Sequence, residues 1–82
     1  MKTPWWKPYI RRVEKWELDD VAIGANRRRH REAYGISLRT FAKAIGLSAP
    51  YISDLELGRR RWSEELIHRF EVALAKCIEE KR

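Results

Sequence analysis

The 82-residue chain has a single cysteine, Cys77, so no disulfide can form within it. That usage fits a reducing compartment, and a cytoplasmic location is expected. The longest uninterrupted apolar runs are only a few residues, so neither a membrane-spanning helix nor a secretory signal is expected. Catalytic signatures are missing as well. There are two histidines, His30 and His68, and no HExxH, CxxC, phosphate-cradling glycine loop or nucleophile elbow. No enzymatic activity, metal or cofactor is expected on that basis. The Glu pairs at 64–65 and 79–80 read as solvated faces near helix ends. Four glycines and three prolines leave little room for long loops. No run alternates β-branched with polar residues, so strands are not expected.

What the chain does have is hydrophobic spacing of helical period throughout. Hydrophobic residues make up 44%, enough for a folded all-α domain with one small core. A chain this short buries a limited share of its surface, so its stability is modest. The formal net charge is +6, from 18 Lys and Arg against 12 Asp and Glu. A small basic domain points to a polyanionic partner, nucleic acid first and an anionic membrane second.

The pattern predicts five helices. Residues 1–20 form an aromatic-rich N-terminal extension with a short helix starting at Pro8. Tyr9, Val13 and Trp16 would be its apolar stripe. Asp19 and Asp20 are N-cap candidates for a second helix over residues 21–34, stopped by Gly35. Ser37 caps a third helix, LRTFAKAI, which ends at Gly46; Ser48 caps a fourth, APYISDLEL, which ends at Gly58. After the linker RRRW, Ser63 caps a fifth, with Glu64 and Glu65 suited to the positive end of its dipole and Lys81 and Arg82 to the negative end. Leu66, Phe70, Ala73, Leu74 and Cys77 mark its buried stripe, with Ile67 and Ile78 flanking. Residues 21–82 are thus the domain proper.

The two central helices carry the functional signal. Phe41, Ala42 and Ile45 share one side of the first, Leu47 points inward from the turn, and Ile52 and Leu55 are buried from the second. Ala42 is small where the helices cross, and Gly46 takes a backbone conformation costly for residues with a Cβ. Two helices joined by a short glycine-containing turn outline the DNA-binding helix-turn-helix.

On the residues SLRTFAKAIGLSAPYISDLELGRRR, the chain resembles the helix-turn-helix of phage repressors of the Cro/cI type, the Xre family. The likeness spans about residues 21–76 and includes Ala42, Gly46, the YIS run and the E-x-G close at Glu56 and Gly58. It implies a five-helix repressor-like bundle acting on double-stranded DNA, most simply as an operator-binding repressor, with two copies on two half-sites. It also implies a structural ion pair between Arg31 and Glu56. The sequence departs from the family at Arg27 and His30, where aliphatic residues are usual. The resulting inner face of Ile23, Arg27, His30 and Tyr34 is polar, and the aromatic extension (Trp5, Trp6, Tyr9, Trp16) is expected to cover it by stacking on the Arg27 guanidinium.

Placed on a helix at about 100° per residue, Tyr51, Ile52 and Leu55 fall on the core side, with Tyr51 at its edge. Ala49, Pro50, Ser53, Asp54 and Leu57 face the groove. Ala49, Pro50, Ser53 and Asp54 are therefore the candidate base contacts: two methyl-contacting residues, one hydroxyl, and an acceptor suited to cytosine N4. Pro50 falls in the first turn, where its missing N–H breaks no intrahelical bond. Asp54 alternatively holds a neighbouring arginine in place, Arg39 being the candidate. Arg39, Ser48, Tyr51, Arg59, Arg60 and Arg61 are the candidate phosphate contacts, arginine supplying charge and forked donors. With few base-edge donors on the helix, phosphate contacts and DNA shape are expected to carry much of the affinity.

Several segments admit two readings. RRRHR, residues 27–31, is a phosphate-binding stripe or a solvated face plus the Arg31 structural role. The tryptophans of the extension are core or a protein-binding surface. The latter motivates a rival reading of the chain as an antitoxin-like protein-binding module that also binds DNA. Loss of DNA binding, leaving only assembly, is a further one. The last helix and the extension are equal candidates for a homodimer contact.

Overall fold

The computed structural model describes residues 5–6, 10–12 and 16–81. Among them are strands β1 (Ile10–Arg12) and β2 (Trp16–Leu18), then helices α1 (Asp20–Ala33), α2 (Leu38–Ile45), α3 (Ala49–Glu56) and α4 (Glu64–Glu80). The count corrects the five-helix expectation: among the described residues four helices are present, and an antiparallel ribbon lies where a short first helix was expected. Its register sets Ile10 opposite Leu18 and Arg12 opposite Trp16. The stripe that suggested a helix rested on Tyr9, Val13 and Trp16. Pro8, Tyr9 and Val13 lie outside the described residues, and Trp16 is in β2. Three-residue strands are too short for period-two alternation to stand out against a helical reading.

The four helices begin where the capping residues set them. Asp19, Ser37, Ser48 and Ser63 occupy the N-caps, accepting from the backbone N–H of Ala22 (3.2 Å), Thr40 (3.1 Å), Tyr51 (3.3 Å) and Leu66 (3.1 Å). Gly46 closes α2 at φ 80°, in the left-handed region, and its N–H donates to the Ala42 carbonyl at 2.9 Å. That turn sends the chain directly into Ser48 and α3.

The core is one cluster with Phe41, Phe70, Ile23, Ile52, Leu55 and Ile67 fully enclosed. Full burial of each such side chain contributes about 1.5–3 kcal/mol. On α4 the enclosed position is Ile67, while Leu66 is only partly buried, the reverse of the expected stripe. Both fit a helical period; the packing partner decides, and α2 offers the Phe41 ring to Phe70 at 4.9 Å between centroids. Trp62, expected in a linker, is 5% exposed and belongs to the core. Its ring meets Phe70 edge-on at 4.6 Å, its indole N–H donates to the Leu55 carbonyl (2.9 Å), and its backbone N–H donates to Asp20 Oδ1 (2.8 Å). Trp62 thus fastens the end of α3 to the start of α1. Two side chains satisfy free carbonyls at helix ends: Arg69 donates to Ile45 O, and the Lys81 amine to Tyr34 O and Gly35 O. Buried Cys77 has its thiol pKa pushed up, first by burial and then by Glu80.

The inner face of α1 is Ile23, Gly24, Arg27 and Arg31. His30 and Tyr34 were expected there and are exposed instead. Gly24 is the point of closest approach: a Cβ on it would lie 2.4 Å from the Leu55 carbonyl oxygen and 2.6 Å from that of Glu56. The α1 and α3 backbones therefore touch. Arg27 is 6% exposed and is covered as expected, with its guanidinium carbon 4.0 Å from the centre of the Trp5 ring. Asn26 Oδ1 accepts from it at 2.8 Å, Trp6 packs edge-on against Trp5, and the Trp5 indole N–H donates to Glu71. The extension is thereby pinned across α1 and α4.

Two outcomes follow for stability. Gly24→Ala forces two backbones apart and is expected to cost about 1–3 kcal/mol, read as a lower urea midpoint with unchanged slope. Trp5→Ala removes the Arg27 stack and is expected to cost about 0.5–2 kcal/mol, read by the same melt.

Candidate nucleic-acid interface

The orientation of α3 is set by one ion pair. Arg31 on α1 donates through Nε to Glu56 Oε2 (2.8 Å) and through Nη2 to Glu56 Oε1 (2.9 Å), a bidentate contact. Its Nη1 donates to the Ile36 carbonyl at 2.7 Å, in the residue before the α2 N-cap. The two side chains are 10% and 4% exposed. The hydrogen bonds to Glu56 hold the Arg31 pKa above its ordinary value against the opposing effect of burial. Among the described residues no buried side-chain nitrogen or oxygen lacks a partner. Three segments meet at this one guanidinium: the body of α1, the entry to α2 and the last turn of α3. This is the pair the resemblance implied.

With Ile52, Leu55 and Glu56 turned inward, α3 presents its opposite side. Ala49, Ser53 and Asp54 are half-buried there, Pro50 is exposed, and Leu57 follows at 43% exposure. Pro50 sits in the first turn and interrupts no intrahelical bond. Ser48 spends its acceptor on the Tyr51 amide, so the hydroxyl proton remains its means of meeting an anion. Arg39, exposed in the first turn of α2, stands beside that helix's free N-terminal amides, an arrangement that favours anions.

The loop after α3 brings four of the sequence-assigned residues together. The Arg59 amide donates to the Asp54 carbonyl at 2.8 Å. Asp54 Oδ1 lies 3.8 Å from Arg59 Nη1 and Oδ2 lies 3.7 Å from Arg60 Nε. The Arg60 guanidinium carbon is 5.5 Å from the centre of the Tyr51 ring. The cations held by Asp54 are thus Arg59 and Arg60 rather than Arg39; the tight return at Gly58 (φ 78°) turns the chain back onto the helix end. Arg61 is exposed in the same loop.

The basic run on α1 is sorted by helical position. Arg27 lies under Trp5, and Arg31 is in the buried pair. Arg28 pairs with Glu32 on the surface at 3.1 Å, and Arg29 is exposed. Arg28 lines one cleft with Leu38, Ser53 and Leu57, which places it beside the outward face of α3. His30, though exposed, has its pKa lowered, first by the partial loss of solvent around its ring and then by Arg27 and Arg29. Sequence reasoning passed over Gly24 and Trp62 because neither stands in the two-helix motif. A lone helical glycine in a chain with few glycines was the available signal for the first.

The helix-turn-helix domain family matches residues 22–75. Among solved structures, the fold is similar to that of the clp gene regulator ClgR from C. glutamicum. That chain is 36% identical, with a TM-score of 0.67, and the match covers 74% of this chain and 79% of that one. No curated protein matches the chain.

Removing one partner strands the other charge, so Arg31→Ala is expected to destabilise the fold by roughly 3–5 kcal/mol. The check is urea denaturation followed by circular dichroism; an unchanged midpoint would remove the pair from its central place.

Proposed function

The chain belongs to the helix-turn-helix domain family, and we propose that it is a transcriptional regulator that binds double-stranded DNA with α3 as its reading helix. The observation that supports this most is the arrangement of α3. Its inner side is clamped by Arg31, Gly24 and Trp62, while Ala49, Pro50, Ser53 and Asp54 lie on the other side, next to the exposed Arg59–Arg61 loop, and Arg39 is exposed on α2. The net charge of +6 suits a polyanion, and the similar solved structure is described as that of a gene regulator.

In its finer form, the reading is of an Xre-type, Cro/cI-like repressor in the cytoplasm that occupies an operator as a homodimer, with no enzymatic activity and no cofactor. Arg39, Ser48, Tyr51, Arg59 and Arg61 take phosphates, joined by Arg28 from α1. Ala49 and Pro50 meet thymine methyls, and Ser53 meets a base edge. The antitoxin-like alternative draws on the tryptophans of the extension. Trp5 is turned onto Arg27 and Glu71 of the domain itself, which favours the DNA reading.

Selection from a random duplex pool is expected to enrich a two-fold symmetric motif with half-sites about one helical turn, roughly 34 Å, apart. Affinity for the recovered duplex should fall steeply with salt, and Arg59→Ala should reduce the logarithmic salt slope by about one. Salt-sensitive binding with no enriched motif would instead indicate a non-specific binder.

A further inference from the structure

We infer that Arg60 reads a base edge, a guanine in the major groove, and that Asp54 and Tyr51 hold it in position to do so. The inference rests on the DNA reading above and changes the role of one residue within it, since Arg60 was assigned to phosphate by sequence alone.

The outward face of α3 poses a chemical problem. Ala49, Pro50, Ser53 and Asp54 include no Arg, Lys, Asn or Gln. Guanine presents two acceptors, O6 and N7, to the major groove and is best met by a forked donor. Asp54 offers only acceptors. The structure places the missing donor on this face from outside the helix. Arg60 reaches back so that its Nε lies 3.7 Å from Asp54 Oδ2 while its guanidinium carbon stands 5.5 Å from the centre of the Tyr51 ring. Tyr51 and Asp54 are one helical turn apart, so the two form a single cradle. Nε faces the carboxylate, which leaves Nη1 and Nη2, the two nitrogens that make a fork, for a ligand. The Arg60 side chain is 58% exposed, open to an approaching base edge.

Electrostatics separate base from phosphate. A phosphate at the Arg60 fork also meets the Asp54 carboxylate, an anion beside an anion. A guanine edge is neutral and meets no such repulsion. Arg59 also lies beside Asp54, at 3.8 Å, but its side chain is 72% exposed and, among the described residues, it stacks on no ring, so it is free to swing from the carboxylate to a phosphate. Holding the guanidinium beforehand also reduces the side-chain entropy lost on binding, which favours a directional contact. Asp54 is then a positioning residue and makes no base contact of its own.

The test uses the full chain and the duplex it selects, with each guanine replaced in turn by 7-deazaguanine, which lacks the N7 acceptor. One position per half-site is expected to lose roughly tenfold in affinity with the native protein and nothing further with Arg60→Ala. Arg60→Ala and Asp54→Ala should both erase the preference for that base pair. Asp54→Ala should also bind unrelated duplexes more tightly, because a carboxylate has left the surface. Melting curves of both variants report that the fold is intact. Uniform weakening on every duplex by Arg60→Ala, with a smaller salt slope, would make Arg60 a phosphate contact and overturn the inference while leaving the DNA reading standing. Binding without an enriched motif would overturn the inference alone, and a native protein that binds no duplex would overturn both.

Discussion

The contact between α1 and α3 is the constraint from which the remainder follows. Gly24 lets the two backbones meet, and on either side of it, one turn before at Asp20 and two turns after at Arg31, the helices are held by specific groups. Arg31 grips Glu56 with two hydrogen bonds, and Trp62 closes the far end through Leu55 and Asp20. A two-turn helix such as α3 has little stability of its own. Here its inner side is filled by Ile52, Leu55 and Glu56, so both its axial position and its rotation are fixed. The outward face is what remains, and its composition is therefore free to serve recognition.

That face is poor in donors, and the loop that follows makes up for it. Gly58 turns the chain so that Arg59 and Arg60 come back over Asp54, and the Arg59 amide ties the loop to the helix end. The proposed DNA-facing surface is thus a helix plus its return loop, held as one unit. On the proposed DNA reading, a carboxylate at its centre works against indiscriminate attraction to phosphate, while Arg39 and Arg61 supply the grip. Selectivity and grip are separated in space. On the opposite flank, the extension stacks Trp5 on Arg27 and bonds to Glu71, which removes one cation of the basic run from the surface and adds cover to a small core.

The sequence told most where local rules act alone. The N-caps at Ser37, Ser48 and Ser63 and the left-handed closure at Gly46 were legible because each depends on a single residue's chemistry. Arg31 with Glu56 was legible only through family likeness, since nothing local links positions so far apart in the chain. Three features were hidden. Trp62 looked like loop because its burial depends on Phe70, Leu55 and Asp20 arriving from three other elements. Leu66 and Ile67 fit the same helical period, and only the packing of α4 against its neighbours chooses Ile67. The ribbon at Ile10–Arg12 and Trp16–Leu18 was read as helix because each strand is too short to display its alternation. For the candidate site, sequence reasoning paired Asp54 with Arg39, whereas the structure sets it beside Arg59 and Arg60. The return at Gly58 is what decides that.

The central claim is that this clamped arrangement exists to present α3 and its return loop to DNA. Titrating the isotope-labelled protein with its selected duplex, followed by amide resonances, tests this most directly. The account predicts the largest shifts at residues 48–54 and 59–61, a smaller response at Arg39, and little change along the buried side of α4 from Ile67 to Cys77. Shifts concentrated on α4 or around Trp5 and Trp6, with residues 48–54 silent, would contradict it.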